Sequence, residues 1–134
     1  MSRKTWLIVL PTMVVLSVGA MLAFRQSPRV VVPEQSFSFG STSEGEIVEH
    51  EFKLHNAGHS VLRILGVWGS CGCTTIMRSA ASIVPGADGS IVVRYDSEGH
   101  FGPIDDYIHI ATNDPNHPSL DLMLTGFVNK RLRK

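Results

Sequence analysis

The sequence predicts an all-β domain, an immunoglobulin-like antiparallel β-sandwich of about seven strands, preceded by one N-terminal transmembrane helix. Three observations lead to this prediction. Between residues 36 and 129, several segments alternate apolar and polar side chains with a period of two, which is typical of strands with one buried face. Breaks rich in Gly, Pro, Asn and Asp separate these segments. Near the N-terminus lies one long, uncharged apolar run.

The apolar run covers residues 5–24, which are 20 residues without a charge. At about 1.5 Å per helical residue it spans roughly 30 Å, the thickness of a bilayer's hydrocarbon core. A cleaved signal peptide is the alternative, but its apolar region usually has about 7–15 residues and ends in a small-residue cleavage site. We therefore expect residues 1–24 to be an uncleaved signal anchor that holds the following domain outside the cytoplasm.

The rest of the chain divides into a linker, a folded body and a tail. Residues 25–35, with Pro28 and Pro33, are predicted to be a linker, residues 36–129 the β-sandwich, and residues 130–134 a basic tail. In the segment 48–54, Val48, His50 and Phe52 share one face, which predicts a half-buried strand. The segments predicted as strands are 48–54, 61–68, 90–96, 107–112 and 120–124, the last extended to 128.

The charges are distributed unevenly along the chain. Residues 33–129 contain all 12 acidic residues and four Lys or Arg, a net charge of −8, although the whole chain is neutral. An acidic body repels phosphate backbones, so we expect no nucleic-acid partner.

A series of short motifs follows the order Phe39-Gly40, Glu44-Gly45, His50-x-Phe52-x-Leu54-x-Asn56-x-Gly58, Cys71-Gly72-Cys73-Thr74, Pro85-Gly86 and Thr112-Asn113-Asp114-Pro115. With this series, residues 36–128 resemble the bacterial family called domain of unknown function 1573, whose signature is the Ser-Cys-Gly-Cys-Thr segment. The resemblance implies an immunoglobulin-like sandwich, related to modules of the ciliary and major-sperm-protein type, in an exported bacterial protein. It implies no reaction. Many members carry a lipoprotein cysteine near the N-terminus; this chain has none there, which favours the helix as its anchor.

Both cysteines lie in one segment, Cys71-Gly72-Cys73. An exported location favours a disulfide, which residues at positions i and i+2 can form through a bend at Gly72. Three interpretations remain open. The pair supports a loop; it is redox-active, because a disulfide across one residue is strained and labile; or it binds a soft metal such as Cu(I).

Further metal ligands are not evident from the spacing of the histidines. A tetrahedral zinc site would need two more ligands, and the candidates are His50, His55, His59 and His100. His50 is a weak candidate because a histidine in phase with apolar residues is more often a hydrogen-bonded core residue. We expect four aspartates to form a solvated acidic face rather than a calcium site: Asp96, Asp105, Asp106 and Asp114. Asn113, Asp114 and Pro115 are predicted to form a structural turn.

The sequence contains no nucleophile elbow, paired-histidine zinc motif or phosphate-binding glycine loop, so we expect no enzymatic activity. The leading hypothesis is a membrane-anchored module at the bacterial inner membrane, facing the periplasm or the cell exterior. Such a module would bind or scaffold an unknown envelope protein or polymer and need no cofactor. The alternative is a thiol-redox or copper-binding protein that acts through Cys71 and Cys73.

Overall fold

The structure is a computed structural model that describes residues 26–132, and these residues form two β-sheets around a shared apolar core. The strands are β1 (Val30–Val31), β2 (Ser36–Ser43), β3 (Ile47–Asn56), β4 (Leu62–Gly69), β5 (Thr74–Ser79), β6 (Ser82–Ile83), β7 (Asp88–Asp96), β8 (Gly102–Thr112) and β9 (Ser119–Asn129). The four-stranded sheet has the order β1-β3-β7-β5, and the five-stranded sheet the order β2-β9-β8-β4-β6. Within residues 26–132 no helix is long and apolar enough to cross a membrane. The predicted anchor lies outside the described residues.

The core follows from the period-two alternation, and the all-β prediction is confirmed. The inward residues of the central strands are buried, as Phe52 and Leu54 are on β3 and Ile91 and Val93 on β7. The facing sheet contributes every second residue of β8 and β9 in the same way, with fully buried side chains at Ile108, Ile110, Leu122 and Leu124. Two half-apolar sheets bury these faces against each other, which makes the fold a β-sandwich.

Three details differ from the sequence expectation. The described residues contain nine strands rather than about seven, because β1 and β6 each have two residues and lack a pattern long enough to recognise. β1 lies within the predicted linker and pairs with β3. β2 runs parallel to β9, with Ser36 opposite Met123 and Ser43 opposite Asn129, whereas every other pair is antiparallel.

Gly126 shows how a missing side chain permits the packing of edge strand β2 against its neighbour β9. A Cβ atom at this position on β9 would lie 2.3 Å from a ring carbon of Phe39 on β2. The ring therefore occupies the space that any other residue would fill. Phe39 reaches from there towards Tyr95 of the opposite sheet, with ring centroids 5.9 Å apart.

One side of the sandwich is bordered by incompletely paired strands. β5 is paired with β7 on one side and with no described strand on the other. On the same side, β6 covers β4 at Leu62 and Arg63, and the rest of that β4 edge has no strand partner among residues 26–132.

Candidate functional site at the Cys71–Cys73 loop

Residues 70–73 form the short loop that joins β4 to β5 and crosses from one sheet to the other. A disulfide links Cys71 and Cys73 within this loop, and their Cα atoms lie 5.3 Å apart. That separation is within the usual range for disulfides. A Cβ atom built on Gly72 would meet no heavy atom within 4 Å, so the tip of the loop is open.

Asp106, on β8, contacts this loop from the interior and is only 3% exposed. Its two carboxylate oxygens accept hydrogen bonds from the hydroxyls of Ser70 and Thr74. Ser70 is fixed further because its N–H donates to the Tyr107 carbonyl at 2.7 Å and its hydroxyl accepts the Tyr107 N–H at 3.0 Å. The serine and the threonine of the Ser-Cys-Gly-Cys-Thr segment thus hold both ends of the loop to one buried carboxylate.

The two sulfur atoms and the Asp106 carboxylate form a cluster in which the three potential ligand atoms lie within 4.8 Å of one another. Cys73 packs against the core, and its N–H donates to the Cys71 Sγ at 3.3 Å. A donor directed at sulfur stabilises a thiolate there once the disulfide is reduced. Cu(I) would need that reduced state, because soft metals bind thiolates.

His50 does not belong to this cluster. It lies on β3, half-buried, and its ring stacks on Phe37 of the opposite sheet with centroids 3.6 Å apart. Its Nε2 atom is 2.9 Å from a carboxylate oxygen of Glu34. His50 therefore makes an aromatic contact between the two sheets, away from Cys71 and Cys73.

A cleft of about 230 Å³ opens beside the disulfide, and its walls include Tyr95, His100, Ile104 and Asp106. The Tyr95 hydroxyl is buried, and it is the one buried side-chain polar atom among residues 26–132 that has no hydrogen-bond partner. Leaving a buried hydroxyl unpaired costs about 1–3 kcal/mol. A polar group that enters the cleft would therefore find an unused donor and acceptor in its wall.

The same surroundings keep the Tyr95 phenol neutral. Burial raises the pKa of Tyr95 above its ordinary value, and the negative charges of Asp106 and Asp96 raise it further. The phenol therefore remains protonated at neutral pH and can donate a hydrogen bond.

His100 is the one residue of the four histidine candidates that lines the clefts beside the cysteines. It borders both the cleft described above and a second one of about 380 Å³, which Asp96 and Glu98 also line. Its side chain is exposed, and Nδ1 lies 3.0 Å from the Glu98 carbonyl oxygen.

The expectation of a solvated acidic face is wrong for two of the four aspartates, because Asp106 and Asp114 are buried. The burial of Asp106 has a signal in the sequence. Asp106 is in phase with Ile104, Ile108 and Ile110, the inward residues of β8, so an aspartate at that position points into the core.

The Asn113-Asp114-Pro115 turn follows directly after the end of β8, whereas Asp106 lies in the first half of that strand. The Asp114 carboxylate accepts hydrogen bonds from the N–H groups of Val30 at 2.9 Å and Asn116 at 2.9 Å. The Asn113 side chain joins the start of β4 to this turn, because its Oδ1 accepts the Arg63 N–H at 2.7 Å.

The chain belongs to the family described as protein of unknown function DUF1573, which matches residues 30–128. The resemblance read from the motifs is thereby confirmed. The search of curated proteins finds no match.

Solved structures share the fold. A protein of unknown function from Porphyromonas gingivalis W83 is 21% identical with a TM-score of 0.67; the match covers 77% of this chain and 48% of that protein, so the chain spans about half its length. The ASH/PapD-like domain of human CEP192 is 14% identical with a TM-score of 0.60, and the match covers 80% and 89% of the two chains. The periplasmic chaperone SfaE is 5% identical with a TM-score of 0.52, covering 78% and 58%.

At these identities the likeness concerns the fold alone, which is that of an immunoglobulin-like module. The family and the P. gingivalis protein are both described as being of unknown function, so neither gives evidence of an enzymatic role.

Proposed function

We propose that the protein is a membrane-anchored, extracytoplasmic module without enzymatic activity, which binds an extended polypeptide segment of another envelope component. The observation that carries the proposal is strand β5, Thr74–Ser79, which pairs with β7 on one side and with no described strand on the other. An unpaired edge offers backbone donors and acceptors to which an extended segment can add as a further strand.

The backbone groups of Ile76 point towards this free edge. The Asp96 N–H donates to the Cys73 carbonyl at 2.9 Å, so Cys73 and Asp96 form a hydrogen-bonded pair across β5 and β7. In an antiparallel ladder such pairs alternate with pairs whose backbone groups point away from the partner. Ile76 therefore directs its N–H and C=O groups outward, where an added strand would bind them, whereas the Thr74 N–H is already bonded to the Cys71 carbonyl at 3.5 Å.

Side chains along this edge indicate the chemistry of the partner. Met77 is 50% exposed and marks a bulge in β5, and Arg78 next to it is also exposed. The bulge and the positive charge disfavour pairing of two copies edge to edge. They favour instead a segment with an apolar residue beside Met77, since the Arg78 guanidinium already faces the Glu51 carboxylate at 3.8 Å.

The proposed location is supported by the uncharged run of residues 5–24 and by the disulfide, which is typical of oxidising compartments. Fractionation of the native host tests it. We expect the full chain in the inner-membrane fraction, released by detergent and not by high salt. A soluble protein that starts near residue 21 would contradict the anchor.

Photocrosslinking followed by hydrogen exchange tests strand addition. Benzoylphenylalanine at Met77, in the full chain and the native host, should crosslink to one partner segment. That segment, made as a synthetic peptide, should slow exchange of the Ile76 amide. Phe127, 46% exposed on the other sheet, provides the matched control site.

A pair of variants gives the binding readout. We expect M77K to weaken peptide binding about 10-fold and F127K to leave it unchanged. The proposal is overturned if Met77 and Phe127 crosslink the same molecules equally, if neither site crosslinks a polypeptide, or if the peptide protects amides of another strand.

A further inference from the structure

We propose that Cys71 and Cys73 form a thiol–disulfide exchange site for the dithiols of other exported proteins, with Asp106 as the proton acceptor for Cys73. This activity goes beyond binding, and it does not depend on strand addition at β5. It draws on three features of the loop: the accessibility of the disulfide, the fixation of the loop by other bonds, and the buried carboxylate beside the sulfurs.

The disulfide is accessible from outside. No atom lies within 4 Å of the position that a Gly72 side chain would occupy, and clefts border both cysteines. Cys73 packs against the core whereas Cys71 lies towards the open tip. An attacking thiolate therefore reaches the Cys71 Sγ first, and Cys73 is the leaving group.

The loop does not depend on the disulfide for its conformation. Ser70 and Thr74 are held to Asp106, and the Cys73 carbonyl accepts the Asp96 N–H at 2.9 Å. These bonds fix both ends of a turn in which the disulfide spans a single intervening residue. Opening the bond therefore leaves the surrounding structure in place, as an exchange cycle requires.

The exchange proceeds in two steps that balance. A partner thiolate attacks the Cys71 Sγ, the S–S bond breaks, and its electron pair leaves on Cys73, which takes up a proton from solvent. The second partner thiol loses its proton to solvent and attacks the partner's own sulfur in the mixed disulfide, which releases Cys71 as a thiolate. The partner dithiol is oxidised by two electrons, and the two cysteines are reduced by two electrons.

The surroundings of the sulfurs match these roles. The Cys73 N–H that donates to the Cys71 Sγ stabilises the thiolate released from Cys71. In the reverse direction the Cys73 thiol must lose its proton before it attacks, and the Asp106 carboxylate, with an oxygen within 4.8 Å of the sulfur, accepts that proton through one bridging water.

Glutathione serves as the probe for the order of attack. The full chain in detergent, as C71S or C73S, is incubated with glutathione disulfide, and the mixed disulfide is measured by mass spectrometry. We expect C73S, which keeps the outer thiol, to react at least 10-fold faster than C71S. Equal rates would overturn the assignment of the two cysteines. So would a native disulfide that stays oxidised in reduced glutathione.

The pH dependence of D106N tests the proton acceptor. From the mixed disulfide of glutathione at Cys71, resolution by Cys73 should be about 10-fold slower in D106N than in the native chain at pH 7. The two rates should converge above about pH 9, where thiols ionise without help. A rate deficit that is constant with pH would mean that Asp106 only holds the loop, and would overturn its role.

T74V separates proton transfer from loop fixation. This variant removes one hydroxyl bond to Asp106 and keeps the carboxylate, so its resolution rate should follow the native pH profile. A T74V profile that matches D106N would overturn the proposal. Copper binding would also overturn it. If the reduced chain retains one Cu(I) in the presence of a chelator and C71S does not, a metal site explains the two cysteines.

Discussion

Two buried aspartates differ in the partners that surround their carboxylates. Asp114 accepts hydrogen bonds from two backbone N–H groups, whose positions are fixed by the fold. Asp106 accepts its hydrogen bonds from the hydroxyls of Ser70 and Thr74, which can rotate about their side-chain bonds. The first arrangement stabilises an anion permanently, whereas the second can adjust when a proton arrives. At the level of single residues, Asp114 is therefore suited to stability and Asp106 to chemistry.

Asp114→Asn is predicted to destabilise the fold by about 2 kcal/mol at pH 7. The asparagine amide can accept from one of the N–H groups of Val30 and Asn116, but its NH₂ then faces the other donor. The free energy of unfolding from urea titrations provides the measurement. Asn129, whose exposed side chain donates to the Thr42 carbonyl, offers a control as Asn129→Ala, with an expected loss below about 0.5 kcal/mol.

The same carboxylate predicts an acid-sensitive stability. Burial alone would raise the pKa of Asp114, but hydrogen bonds from Val30, Asn116 and His117 outweigh burial and lower it. Because the pKa of Asp114 is lower in the folded state, its ionised carboxylate contributes fully to the free energy of unfolding above the unfolded-state pKa of about 4. This contribution is lost as the pH falls through the pKa of Asp114 in the folded state. The stability difference between the native chain and D114N should therefore shrink below about pH 4. A difference that grows towards low pH would contradict this sign.

Gly126→Ala is predicted to cost about 1–3 kcal/mol of stability, because the new methyl group would overlap the Phe39 ring. Gly72→Ala is the matched control. The added methyl group would meet no atom within 4 Å, and the backbone at Gly72 is not left-handed. The substitution should therefore change the free energy of unfolding by less than about 0.5 kcal/mol. Equal losses in the two variants would mean that glycine flexibility, and not space, explains both positions.

At the scale of elements, the sequence predicted the strands whose alternation is long. The predicted segments 48–54 and 90–96 correspond to β3 and β7, since apolar residues recur at every second position along one face of each. β5 was missed because its burial is irregular on either side of the bulge at Met77. The cysteine loop was found from its composition. Its partner Asp106 was not predicted, because Asp106 lies 36 residues from Ser70 and 32 residues from Thr74, whose hydroxyls it binds.

Replacing both cysteines of the β4–β5 loop with serine is predicted to cost about 1.5 kcal/mol of stability, since a disulfide across one residue removes little chain entropy. D106A should cost more, about 3 kcal/mol, because it leaves the hydroxyls of Ser70 and Thr74 unpaired. Chemical denaturation of both variants gives the comparison. A loss well above 3 kcal/mol in the double serine variant would contradict the view that the hydroxyl bonds hold the loop.

At the scale of the whole molecule, the entry of the chain at β1 and the disulfide loop lie at opposite ends of the sandwich. The chain enters at β1, where Val30 binds Asp114 just beyond the end of β8. The disulfide loop lies against Asp106, towards the start of the same strand. If residues 5–24 anchor the protein, the tether leaves from one end and the cysteines lie at the other. The proposed exchange site would then face away from the membrane, where exported proteins can reach it.

The position of β1 predicts where an independently stable fragment must begin. Residues 26–134 and residues 33–134 should both fold as all-β domains, but the shorter fragment lacks Val30 and its contact with Asp114. It loses a buried apolar side chain and leaves a buried carboxylate with one backbone donor fewer, which together predict a loss of about 3 kcal/mol. Far-ultraviolet circular dichroism and urea unfolding of the two fragments give the test. Equal stabilities would mean that residues 26–32 belong to the linker, and a helical spectrum from the longer fragment would contradict the fold itself.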